Sequence, residues 1–101
     1  MNDIDIRNTE DIKVEVKRPK LYKVILENDN YTPREFVISV LQTVFRMTED
    51  DAYKKMMTAH QHGNCVVAVY TKDVAETKAK DATDLGNVHG FPLLFTIEPE
   101  E

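Results

Sequence analysis

Cysteine is scarce in this 101-residue sequence, because Cys65 is the only one. The chain therefore cannot form an internal disulfide, a zinc ribbon built on cysteine pairs or a CxxC redox centre. The stretch MNDIDIRNTEDIKVEVKRPK is charged throughout and lacks the apolar core of a signal peptide, so we expect no secretory leader. No run approaches the roughly 18 apolar residues of a membrane span. We expect a cytoplasmic protein that has no membrane partner.

Basic residues are in the minority. There are 13 Lys and Arg against 18 Asp and Glu, and the net charge of -5 opposes binding to a phosphate backbone, which predicts no nucleic-acid partner. A chain of this length normally makes one domain with little interior to spare for a deep catalytic cavity. We place a monomeric domain at residues 19–101. Residues 1–18 are interpreted as a flexible N-terminal extension, because isolated Ile and Val offer too little apolar surface to offset the entropy of ordering.

A strand and a helix open the predicted domain. The segment LYKVILE, residues 21–27, is rich in β-branched and aromatic residues and stops at the turn-forming residues 28–30. Thr32 as N-cap, Pro33 at the first helical position and Glu35 at the third predict a capping box and a helix that begins at Pro33. Its apolar residues recur at three-and-four spacing and predict a wide core-facing stripe of Phe36, Val37, Val40, Leu41, Val44 and Phe45.

The same kinds of signal continue the pattern. Thr48 and the acids after it predict a second helix over residues 49–61, which Gly63 ends. The apolar run CVVAVY, residues 65–70, has the length of a buried strand.

A third helix is expected next, with a cap at Asp73 completed by Glu76. Its predicted inner face is Val74, Ala79, Ala82 and Leu85. Residues 86–90 would end it before a last strand at residues 93–97. The order βααβαβ predicts an α+β sandwich, in which a three-stranded antiparallel sheet packs against three helices.

Catalytic and metal sites find little support. His60, His62 and Cys65 offer three ligands within six residues, but histidines two apart on a helix face different sides, and no second cluster completes a tetrahedral zinc site. Cys65 opens an apolar strand, where a thiol is inert, and Ser39 has no evident base. We expect no enzymatic activity, no cofactor and no metal.

One helix face is a candidate pocket wall. Met56, Ala59 and His60 lie at i, i+3 and i+4, which places a thioether, a methyl and an imidazole side by side next to the polar turn at residues 28–30. The alternative interpretation is an ordinary core stripe with a half-buried histidine. The residues alone leave both open.

The segment LYKVILENDNYTPREFV, residues 21–37, resembles the signature of the ClpS family, Y-K-V-x-L-x-N-D-D-Y-T-P-M-E-F-V. The resemblance continues without a gap through residues 56–60, Gly63, and the segments VYT, VAETK and PLL further along. It covers everything after residue 20.

The resemblance implies an adaptor that binds N-degron proteins through their free N-terminal residue, typically Phe, Tyr, Trp or Leu. It places the contacts to the α-amine on Asn28, Asp29, Asn30 and His60. It places the wall of the side-chain pocket on Leu26, Thr32, Arg34, Val37, Met56, Ala59 and Leu93.

It also implies a partner, the N-terminal domain of a ClpA-type AAA+ unfoldase of the Clp protease, which would dock at Asp73, Glu76 and Lys78. The extension at residues 1–18 would serve in delivery of cargo.

Three positions depart from the family signature. They are Asn30 in place of an aspartate, Arg34 in place of the methionine that gates the pocket, and Ala59 in place of valine. They imply a retuned pocket and would suit a divergent second adaptor. The alternative is a protein-interaction domain of similar fold that does not read N-termini.

Overall fold

A computed structural model describes residues 18–101 of the chain, so the predicted extension lies, apart from Arg18, outside the described residues. The elements follow the order β1 (Leu21–Glu27), α1 (Arg34–Phe45), α2 (Glu49–His62), β2 (Asn64–Thr71), α3 (Lys72–Val88) and β3 (Leu94–Pro99). The predicted βααβαβ order is confirmed.

The three strands form one antiparallel sheet with β1 in the centre, in the order β2-β1-β3. Glu27, the last residue of β1, pairs with Asn64 on one side and Leu94 on the other. The register of β1 with β2 shifts between Val24 and Ile25. The polar turn after β1 therefore leaves the sheet where β2 and β3 both begin.

One apolar core joins the sheet to the helices. It takes Val24 and Leu26 from one face of β1, while Ile25 between them is buried on the other face of this central strand. Fully buried Val40 and Leu41 on α1 confirm the predicted stripe. The buried members are Val24, Leu26, Val37, Val40, Leu41, Phe45, Ala52, Met56, Ala59, Cys65, Val67, Ala75, Ala79, Ala82, Leu93 and Phe95.

The predicted capping box at the start of α1 is wrong. Pro33 is the N-cap, the helix begins at Arg34, and no side chain caps it. The Thr32 hydroxyl instead donates to Asp29 at 2.9 Å, within the turn that precedes the helix. By contrast, the Thr48 hydroxyl accepts the backbone N–H of Asp51 at 3.1 Å, which confirms the predicted start of α2.

Helix α3 differs most from its prediction. Thr71 is its N-cap without a side-chain hydrogen bond, so Asp73 lies in the first turn and is not a cap. Ala79 and Ala82 of the predicted inner face are buried as expected, but Val74 is 42% exposed and Leu85 is only half-buried. Ala75 and Gly86 are buried in their place. The helix ends at Val88, within the predicted stop at residues 86–90, and Gly86 itself lies inside the helix. Strand β3 begins at Leu94, one residue later than predicted, and ends at Pro99.

Candidate functional site

A pocket of about 320 Å³ opens beside the end of β1. Its walls come from the turn after β1, the first turn of α1, one face of α2 and the residue before β3. The lining residues are Leu26, Glu27, Asn28, Asp29, Asn30, Tyr31, Thr32, Pro33, Arg34, Val37, Met56, Ala59, His60 and Leu93. All eleven residues that the sequence analysis placed at the α-amine or the side-chain pocket are therefore in one cavity.

Three lining residues were not predicted, namely Glu27, Tyr31 and Pro33. Each is adjacent in sequence to a predicted pocket residue, and this adjacency is the sequence signal that could have identified it. Tyr31 is 79% exposed, which is unusual for a large aromatic residue held in a short turn.

Asp29 holds the turn in place. Its Oδ1 accepts the backbone N–H of Tyr31 at 2.8 Å and that of Thr32 at 2.7 Å, while its Oδ2 accepts the Thr32 hydroxyl at 2.9 Å. An aspartate that accepts from the backbone two and three residues ahead makes a compact, well-defined turn. Asp29 therefore orients the neighbouring asparagines while its charge remains at the pocket.

The turn is also tied to α2. The backbone N–H of Asn28 donates to the carbonyl of Gly63 at 3.0 Å, and Gly63 ends α2 with a φ of 96°. That left-handed conformation suits glycine, because a Cβ there would be strained. Asn28 on one side of the pocket is thereby held against the helix that carries His60 on the other.

The apolar wall of the pocket is buried, and the side chain that Ala59 contributes to it is small. Leu26, Met56 and Leu93 are nearly inaccessible to solvent, and Ala59 beside them contributes only a methyl group. Such a wall offers an apolar slot below a polar opening, formed by Asn28, Asn30 and His60.

Arg34 and His60 meet across the pocket, with 2.9 Å between Nη2 and Nε2. A guanidinium has only donors, so in this hydrogen bond Nε2 of His60 is the acceptor, which is the tautomer with its proton on Nδ1. This contact joins α1 to α2 and was not foreseen from the sequence.

The candidate nucleophiles, Cys65 and Ser39, lie outside the pocket. Cys65 is buried in β2 and does not line the pocket, and the Ser39 hydroxyl donates to the carbonyl of Phe36. Among residues 18–101, no three His, Cys, Asp or Glu side chains cluster as metal ligands would. Within the same range no helix combines the length and apolar character that crossing a bilayer requires.

Burial raises the pKa of the Cys65 thiol, against a smaller lowering by Lys55. With a folded pKa above the unfolded value, the stability linked to this thiol is present below about pH 8.5 and is lost as pH rises through the folded pKa. We expect iodoacetamide at pH 8 to alkylate Cys65 at least about tenfold more slowly in the native protein than in urea. Equal rates, measured by mass spectrometry, would contradict the burial.

The predicted docking residues lie on α3, away from the pocket. Asp73 and Glu76 are exposed and three residues apart, so they share one side of the helix. Lys78 is half-buried, and its Nζ donates at 2.8 Å to the carbonyl of Val44 near the end of α1. Its ammonium thus satisfies a helix-terminal carbonyl.

Comparison with known proteins agrees with the signature in β1 and α1. Residues 17–96 match the family model of the ATP-dependent Clp protease adaptor protein ClpS. The chain is 64% identical over 103 residues to ATP-dependent Clp protease adapter protein ClpS 1 of Rhodopseudomonas palustris, and 61% identical over 101 residues to ClpS 2 of Rhizobium meliloti. Both alignments cover 100% of each chain.

A solved structure is similar as well, that of Agrobacterium tumefaciens ClpS2 bound to L-phenylalaninamide. It is 66% identical in sequence, with a TM-score of 0.81, and the match covers 82% of the present chain and 100% of the other.

Proposed function

Because this chain belongs to the ClpS family of ATP-dependent Clp protease adaptor proteins, we propose that it captures proteins by a free N-terminal residue and delivers them to the ClpA-type AAA+ unfoldase of that protease. The observation that supports this most directly is the polar opening above an apolar slot. The ligand of the Agrobacterium relative, an amide of phenylalanine, has the two parts that such a pocket would take: an α-amine and an apolar side chain.

The opening would bind the α-amine. An α-amino group has a pKa of about 8, so at neutral pH it is mostly an ammonium with three donors. Asn28, Asn30 and His60 would accept from it, and each charge-assisted hydrogen bond contributes about 1.5 to 3 kcal/mol. Asp29 already accepts three hydrogen bonds, so we assign it to holding the turn and to the negative charge that favours a cation.

The slot would take the first side chain, Phe, Tyr, Trp or Leu, whose burial contributes about 1.5 to 3 kcal/mol. Three such bonds and the side chain contribute at most about 12 kcal/mol, and the association cost is at least roughly 4 kcal/mol, so a preorganised pocket that recognises one residue should bind no more tightly than about micromolar. An adaptor has to release its cargo, and this affinity permits that.

Aromatic first residues are expected to bind more tightly than Leu by about 0.5 to 1.5 kcal/mol. Ala59 leaves room for a planar ring, whereas a branched aliphatic chain would leave part of that room empty. Ile and Val should be rejected, because a β-branch crowds the entrance. Calorimetry with peptides that differ only at residue one measures the order, and Ala59→Val should narrow the gap. Tightest binding of Leu by the wild type would contradict this account.

The unfoldase's N-terminal domain would dock at Asp73, Glu76 and Lys78, and the extension at residues 1–18 would act in delivery. Because the Lys78 ammonium also donates to a carbonyl of α1, we expect Lys78→Ala to lower the free energy of unfolding by about 1 kcal/mol and to weaken docking. Asp73→Lys combined with Glu76→Lys should lower docking and leave the peptide affinity unchanged, at a cost of about 1 kcal/mol of stability because Asp73 lies in the first turn of α3. Pull-down with the unfoldase's isolated N-terminal domain and calorimetry separate the three effects. Undiminished docking of the double variant would show that the unfoldase does not dock at Asp73 and Glu76.

Free and acetylated versions of one Phe-initiated peptide test the central proposal. Acetylation removes the charge and two donors of the amine but leaves the ring unchanged, so binding of the acetylated peptide should be lost. The bound peptide should be recovered unaltered, because an adaptor does not modify its cargo. Equal binding of both peptides would instead favour an interaction domain that does not read N-termini.

A further inference from the structure

In its contact with His60, Arg34 would compete with a ligand's ammonium for the same acceptor. Nε2 of His60 has one lone pair, and Arg34 Nη2 occupies it at 2.9 Å. Under the proposed function, on which this inference rests, the ligand's ammonium would need the same lone pair. Two cations cannot both donate well to it, so the arriving amine has to displace the guanidinium.

The displaced guanidinium stays at the opening. Its backbone is fixed in the first turn of α1, and the side chain is exposed. A guanidinium keeps its charge and its five donors at any pH compatible with folding. The cation would lie just outside the slot, where the second residue of a ligand leaves the pocket.

The acidic groups around Arg34 do not hold it. In residues 18–101 the ion pairs within 4.0 Å are Lys23–Glu98 and Lys80–Asp84. Of the two carboxylates that line the pocket, Asp29 accepts three hydrogen bonds within the turn, and Glu27 accepts the Thr96 hydroxyl at 3.0 Å. Glu35 follows on the exposed start of α1.

We propose that Arg34 is a specificity-determining residue for the second position of the ligand, where its guanidinium, once released from His60, pairs with an acidic side chain. The planar fork of a guanidinium matches a carboxylate, and an ammonium bound nearby adds to the attraction. Ligands that begin Phe-Glu are therefore favoured over those that begin Phe-Gln. Releasing Arg34 also weakens every ligand that gives it no new partner.

Two peptides, Phe-Glu and Phe-Gln followed by one common sequence, test the proposal by fluorescence anisotropy at low ionic strength. The wild type should bind Phe-Glu about three- to tenfold more tightly, and added salt should reduce the ratio. Arg34→Met keeps an apolar stem but removes the charge. It should bring the ratio to about one, and it should bind Phe-Gln more tightly than the wild type does because nothing competes for His60.

Arg34→Lys should keep part of the preference, since it retains the charge without the fork. Lys54→Met on the exposed side of α2 is the control for net charge and should behave as the wild type. Equal binding of the two peptides by the wild type, or an unchanged ratio in Arg34→Met, overturns the assignment to the second position. In that case the proposed function still stands if both peptides bind and their acetylated forms do not. If neither free peptide binds, the proposed function fails and this inference falls with it.

Discussion

Asn28→Ala and His60→Ala are each expected to weaken binding of a Phe-initiated peptide by about 1 to 3 kcal/mol, or roughly 5- to 150-fold. Each substitution removes one acceptor from an ammonium that is withdrawn from water on binding, so the lost hydrogen bond is not replaced. Neither side chain is buried, and the backbone bond from Asn28 to Gly63 does not depend on the side chain. Calorimetry measures the loss, and thermal unfolding should show that the fold is intact.

The helix that carries His60 supplies a matched control. His62 is exposed, lies two residues further along and does not line the pocket, so His62→Ala should leave the peptide affinity unchanged. Unaltered affinity in either Asn28→Ala or His60→Ala would refute that residue's assignment to the α-amine. A comparable loss in His62→Ala would show that the effect comes from the helix and not from the pocket.

Gly86→Ala is expected to destabilise the protein, although alanine is the better helix former. A Cβ on Gly86 would lie 2.8 Å from Cβ of Leu93, a carbon attached directly to the main chain. Relief requires the segment before β3 to move. Overpacking of this kind costs about 3 kcal/mol, and helix propensity offsets about 1, so we expect a net loss of about 2 kcal/mol in urea unfolding.

Peptide binding should fall in the same variant, since Leu93 forms part of the pocket wall. Asn87→Ala is the control, because the next residue of the same helix is exposed and its substitution should be neutral or slightly stabilising. A higher melting temperature for Gly86→Ala would mean that propensity outweighs the clash and that the approach of Leu93 is not tight.

Sequence patterns predicted the structure correctly where the interactions behind them involve only neighbouring residues. The strand at LYKVILE, the Thr48 cap and the stop at Gly63 depend on side-chain shape, a hydroxyl within three residues and a left-handed backbone, all of which lie in short stretches of sequence. The helical spacing of Met56, Ala59 and His60 placed them on one face for the same reason.

Local signals failed where a competing partner was present. Thr32 has the sequence context of an N-cap, but its hydroxyl and its N–H both donate to Asp29 three residues back, in a competing local turn. Gly86 lies inside α3, where the missing Cβ leaves room for Leu93. At Thr32 the local turn overrides a cap preference of about 1 kcal/mol, and at Gly86 tertiary packing outweighs a helix-propensity cost of about 1 kcal/mol.

The sequence alone therefore determined the order of the elements, which short-range pattern encodes, and the family signature assigned eleven residues to one pocket. Spacing along the chain could not place Leu93 in one pocket with Ala59, or bring the guanidinium of Arg34 to His60. These residues are 34 and 26 positions apart, and only the packing of α1, α2 and the sheet around one core brings them together. Tertiary packing therefore decided the geometry of the pocket opening. The hydrogen bonds there depend on distances of about 3 Å, which no spacing along the chain specifies.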